Sequence, residues 1–124
     1  MRTLDRIVAW LLVAFGLIHL ALTGKVHPHL GINAIWFASG GLLMMTIAAL
    51  NLLRVAYGSV ARGVHAVSVV ANLVLLLMLA AIAARLPIRG NPQIVVGLVL
   101  VVLLTAFSIF GRTPTQVQQA QAGN

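Results

Sequence analysis

Four long stretches without Asp, Glu, Lys or Arg divide this chain, and they constrain its fold more than any other feature. They cover residues 7–24, 30–53, 63–84 and 90–111, and they are 18, 24, 22 and 22 residues long. A helix needs roughly 17 to 25 apolar residues to cross the hydrocarbon core of a bilayer, so each stretch is long enough. Because lipid offers the backbone no hydrogen-bond partners, we expect these stretches to cross as helices.

The composition excludes an ordinary soluble domain of this size. Of the 124 residues, 61% are hydrophobic and 7% are charged, whereas soluble domains are roughly a quarter charged. A small soluble domain exposes much of its area to water and cannot hide so much apolar surface. We therefore predict an all-α membrane protein with four transmembrane helices in an up-down antiparallel bundle.

The hydrophobic pattern and its breaks set the bounds of the predicted helices and of one domain. The helices are predicted at about residues 4–23, 31–54, 61–84 and 92–111. Short connections make sequential helices antiparallel neighbours, which predicts a single transmembrane domain over residues 1–112. The tail at residues 113–124 is polar and uncharged, and it is predicted to be disordered.

Lysine and arginine residues are distributed unequally between the two ends of the predicted helices. One end carries Arg2, Arg6, Arg54, Arg62 and Arg112, and the other carries Lys25, Arg85 and Arg89. Cytoplasmic loops of membrane proteins carry an excess of basic residues, so this bias predicts that both termini are cytoplasmic. We expect an integral protein of a bacterial inner membrane. The basic residues form no cluster that would indicate nucleic-acid binding.

Polar residues within the predicted helices are candidates for contacts between helices, because they are costly when they face lipid. Helical spacing places His65, Ser68 and Asn72 on one face of the third helix, and Asn51 and Arg54 on one face of the second. We interpret all five as structural, and we expect Asn72 to hydrogen-bond another helix. By the predicted bounds, Asn72 lies at mid-depth and Asn51 lies in a different layer, near the cytoplasmic end.

A second group of polar and aromatic residues is predicted to line a small pocket near the outer ends of the helices. His19 and Thr23 share a face of the first helix, and Asn33 and Trp36 share a face of the second. The short connection between these helices brings the two faces together, and Gln93 begins the fourth helix nearby. The only charged residue in that connection is a lysine, so we expect an anionic or carbonyl-bearing headgroup rather than a cation.

His27 and His29 are candidate metal ligands beyond the first helix. Pro28 between them favours an extended backbone, which points their side chains apart. A zinc site needs three or four protein ligands, and the chain has no cysteine and no acidic residue nearby to complete one. We therefore predict no metal and no cofactor. A metal- or cofactor-binding protein that uses His19, His27 and His29 is an alternative.

The sequence favours a function without catalysis. Acid–base and nucleophilic catalysis need convergent reactive groups, but the only acidic residue is Asp5, which we expect to pair with Arg54 or His65. We expect a scaffold, an accessory subunit or a protein that binds lipids or hydrophobic ligands. The expected partners are membrane lipids and either further copies of the chain or a larger membrane complex. A small dimeric transporter or channel for a small solute, anions included, is the other alternative.

Overall fold

Four helices make up the fold in the computed structural model, which describes residues 2–29, 31–86 and 90–111. They are α1 (Arg2–Val26), α2 (Ile32–Tyr57), α3 (Arg62–Ala83) and α4 (Pro92–Phe110). All four are long and apolar enough to cross a membrane, which confirms an all-α chain with four helices of transmembrane character. Their bounds differ from the predicted ones by at most three residues. The predicted tail, residues 113–124, lies outside the described residues.

Proline residues help to set where two of the helices end and begin. The last hydrogen bond at the end of α1 runs from the His27 backbone N–H to the Thr23 carbonyl, at 2.8 Å. The chain then leaves the helix at Pro28, because a proline disfavours helical geometry in the residue before it. Pro92 is the first residue of α4, where the missing N–H of proline costs no helical hydrogen bond.

The helices pack around a shared apolar core. Each helix contacts the next along the chain, and α4 also contacts α1. Nine buried residues from all four helices form the core: Val8, Ala9, Leu12, Met44, Ile47, Ala48, Leu75, Val101 and Leu104. The surface around this core also carries many exposed large apolar side chains, including two tryptophans. Soluble monomers rarely expose apolar surface of this extent, so the exterior indicates an integral membrane protein.

The contact between α1 and α2 is the most extensive in the bundle, and two glycines lie within it. A Cβ atom built on Gly16 would lie 2.8 Å from the carbonyl oxygen of Gly41, and one on Gly41 would lie 2.8 Å from the carbonyl oxygen of Gly16. The two backbones therefore touch directly, as small residues allow in membrane helices. Because the opposing atoms belong to the backbone, a side chain at either position would separate the helices.

Gly41→Ala is expected to destabilise the bundle, since its methyl group would meet the Gly16 carbonyl at 2.8 Å and the Leu20 backbone nitrogen at 3.1 Å. Overpacking of this kind costs about 1–3 kcal/mol of unfolding free energy, to be measured by denaturant unfolding in mixed micelles. Gly63→Ala is the matched control, because nothing lies within 4 Å of a Cβ on Gly63. Equal stability of the two variants would contradict the direct backbone contact.

Candidate functional site

A chain of hydrogen-bonded side chains, here called the polar chain, links all four helices. Both carboxylate oxygens of Asp5 in α1 accept hydrogen bonds from Nη2 of Arg54 in α2, at 2.7 and 2.8 Å. Nε of Arg54 donates to Oδ1 of Asn51 at 3.3 Å. Asn51 and Asn72 of α3 then exchange two amide hydrogen bonds, of 2.7 and 3.0 Å. Nδ2 of Asn72 also donates to the backbone carbonyl of Leu104 in α4, at 3.4 Å.

The polar chain is buried along its whole length. Asp5 and Arg54 are 6% and 7% exposed, and Asn51 and Asn72 are fully buried. Removing charged groups from water is costly unless they are paired and their other hydrogen-bonding atoms are satisfied. The structure meets that requirement, because Asp5, the only acidic residue of the chain, pairs with the guanidinium group of Arg54. The same guanidinium group also donates a hydrogen bond to the amide of Asn51.

The contact between Asn51 and Asn72 corrects the predicted depths of these residues, which placed them in separate layers. The second helix continues to Tyr57, three residues past its predicted end at residue 54. This extension moves Asn51 about 4.5 Å further from the end of the helix, at a rise of 1.5 Å per residue. The extension removes about half of the predicted difference in depth. Because side chains lean toward the N-terminus of their own helix, the two amides lean toward each other and meet across the remaining distance.

Two other residues on the predicted polar face of α3 have different surroundings. The Ser68 hydroxyl lies 3.2 Å from the carbonyl oxygen of Leu50 in α2 and 2.8 Å from that of Val64 in its own helix. His65 is half-buried, and its Nδ1 atom is buried without a hydrogen-bond partner. Of the two partners expected for Asp5, the structure pairs it with Arg54.

A cavity of about 470 Å³ lies in the other half of the bundle, and residues of α2 and α3 supply most of its lining. We call it the α2–α3 cavity. Its innermost residues, Met44 and Leu75, are buried in the core, whereas Trp36 and Leu86 line it near the connections that follow α1 and α3. The volume falls within the roughly 300–1,000 Å³ that is typical of small-molecule sites.

The structure brings three of the five predicted pocket residues together in the α2–α3 cavity. His19, Trp36 and Gln93 line it, whereas Thr23 and Asn33 do not. The Thr23 hydroxyl donates to the carbonyl oxygen of His19 at 3.3 Å, and Asn33 is exposed. The predicted pocket was polar and aromatic; the cavity does include the rings of Phe15, Trp36 and Phe37, but it also has a large group of leucine, isoleucine and methionine side chains that was not predicted.

Sequence reasoning missed the aliphatic lining of α3 in particular. Leu75, Met78, Leu79 and Ile82 all line the cavity, and their spacing of three or four residues places them on one face of the helix. The same spacing describes a face that contacts lipid, because leucine and methionine suit both environments. Only the packing of the other three helices distinguishes a cavity wall from an outer surface.

Aromatic contacts surround two of the candidate histidines. The His19 ring stacks on the Phe37 ring, with centroids 3.8 Å apart and planes 15° apart. His27 meets the same phenyl ring edge-on, at 5.3 Å and 66°, and His29 is exposed. Across the described residues, no three His, Cys, Asp or Glu side chains gather in a group that could hold a metal ion.

The geometry of the cavity suits binding of an apolar molecule with a polar end. Aliphatic walls exclude water and offer no reactive group, while the imidazole of His19 and the amide of Gln93 lie in the lining and can hydrogen-bond a polar substituent. The only acidic side chain is engaged with Arg54 in the polar chain.

Comparison of the chain with protein-family models, curated proteins and solved structures finds no match.

Asn72→Leu is expected to lower the free energy of unfolding by about 0.6–1.7 kcal/mol, which are the mean and the largest values found for hydrogen bonds between membrane helices. The substitution removes both amide hydrogen bonds to Asn51, which is fully buried. Asn33→Leu is the matched control, because Asn33 is exposed and its replacement should leave stability unchanged. Additive effects in a double-mutant cycle of Asn72→Leu with Asn51→Leu would contradict the pairing.

Proposed function

We propose that this chain is a small, non-enzymatic integral membrane protein that binds a lipid or another hydrophobic ligand in the α2–α3 cavity. The observation that carries this proposal is the cavity itself, which has ligand-sized volume and mostly aliphatic walls. Ligand sites are typically concave and apolar, with a few polar groups that orient the ligand. His19 and Gln93 supply such groups here.

We further propose that the helices cross the membrane alternately, as an antiparallel bundle with both termini in the cytoplasm. The contacts support this arrangement, because Asp5 near the start of α1 bonds to Arg54 near the end of α2. The termini and the α2–α3 connection together carry more basic residues than the other two connections, and this excess supports the orientation.

Reporter fusions after Arg112 and within residues 25–31 should report opposite sides, and equal accessibility of both fusion sites from both sides would contradict this topology.

Leu43→Trp is expected to reduce ligand retention strongly, because Leu43 lines the α2–α3 cavity and an indole would occupy its volume. A steric cost of about 1.4 kcal/mol weakens the affinity for the ligand tenfold. The measurement is native mass spectrometry of the protein purified from membranes in mild detergent. The matched control is Leu42→Trp, the same change at a neighbouring exposed residue, which should retain the ligand.

Two results would contradict the proposed function. One is a wild-type protein that retains no hydrophobic molecule under these conditions. The other is equal retention by the Leu43→Trp and Leu42→Trp variants, which would place the bound molecule outside the α2–α3 cavity.

A further inference from the structure

We infer that the ligand of the α2–α3 cavity is one anionic lipid of the adjacent leaflet, with a hydrocarbon chain in the cavity and its headgroup beside Arg85 and Lys25. The inference rests on the proposed function, since it names the class of ligand for the same site. Three features carry it: the depth of the cavity, its opening between two helices, and the charge around its rim.

The depth of the cavity matches one leaflet of a bilayer. Along α2 the lining runs from Trp36 to Met44, which is eight residues and about 12 Å at 1.5 Å per residue. The hydrocarbon core of a bilayer is about 30 Å thick, so one leaflet contributes about 15 Å. A lipid of that leaflet can therefore place one chain in the cavity while its headgroup stays at the surface.

The cavity also opens sideways, between α2 and α3. Leu43 of α2 and Met78 and Ile82 of α3 all line it, and each is at least 36% exposed. Accessible surface of this extent on lining residues of both helices shows that the cavity is open, rather than enclosed, along α2 and α3. A lipid chain can thus enter from the surrounding bilayer without passing through water.

The basic residues at the open end of the cavity favour a lipid with an anionic headgroup. Arg85 is exposed and directly precedes Leu86, which lines the cavity. Lys25 is also exposed, and it lies six residues beyond His19, about 9 Å further along α1. The only acidic residue of the chain, Asp5, is bonded to Arg54 in the polar chain. Neither basic residue lines the cavity itself, but both have long side chains at the same end of the bundle, so a phosphate-bearing anionic headgroup there would have basic partners and no competing carboxylate.

The test uses the full-length protein reconstituted into bilayers of equal parts phosphatidylglycerol and phosphatidylcholine with identical acyl chains. After mild detergent extraction, native mass spectrometry counts the lipids that each chain retains. We expect one retained lipid per chain and an enrichment of phosphatidylglycerol of about tenfold or more, since charged hydrogen bonds to phosphate are strong. The double variant Lys25→Gln, Arg85→Gln should still retain one lipid but lose the enrichment.

A matched double variant separates local charge from net charge. The double variant Arg2→Gln, Arg62→Gln also removes two positive charges, but from exposed residues at the ends of α1 and α3 that lie away from the cavity. This variant should keep the enrichment of phosphatidylglycerol. Equal retention of both lipids by the wild-type protein would overturn the anionic ligand while leaving the proposed function intact. Equal loss of enrichment in the two double variants would likewise overturn the anionic ligand and leave the proposed function intact. Absence of any retained lipid would overturn both proposals.

Discussion

A carboxylate and a guanidinium buried among apolar helices are tolerated only as a hydrogen-bonded pair, and the pair formed by Asp5 and Arg54 anchors the polar chain that links the four helices. The pair fixes the end of α2 against the start of α1. Arg54 also bonds to Asn51, whose amide pairs with Asn72 and so positions α3. Because an apolar interior offers these groups no other partners, the polar chain favours the one arrangement of helices that satisfies all of them.

The placement of the polar chain also explains why the bundle has room for a ligand. The side-chain hydrogen bonds between α2 and α3, from Asn51 to Asn72 and from Ser68 to Leu50, lie on one side of Met44 and Leu75. Beyond those two residues the same helices line the α2–α3 cavity. One half of the molecule is thus held together by polar contacts, while the other presents an apolar site that opens between two helices.

The stretches without charge were enough to predict four helices, because length and hydropathy alone determine whether a segment can cross a bilayer. The partner of Asp5 was narrowed to Arg54 or His65, but choosing between them requires the relative rotation of α1, α2 and α3, which a sequence does not contain. Asn51 was placed too close to its helix end because α2 continues to Tyr57. The aliphatic lining of the cavity could not be predicted from the sequence, because leucines that face a cavity and leucines that face lipid follow the same helical spacing.

The ion pair between Asp5 and Arg54 at the start of the polar chain holds the helices in place, and a double-mutant cycle on the unfolding free energy in mixed micelles measures this effect. Arg54→Met and Asp5→Leu should each cost about 3–5 kcal/mol, because each leaves an uncompensated buried charge. The double variant removes both charges and should be more stable than either single variant. Single variants as stable as the wild type, or a double variant that shows the sum of both losses, would contradict the claim.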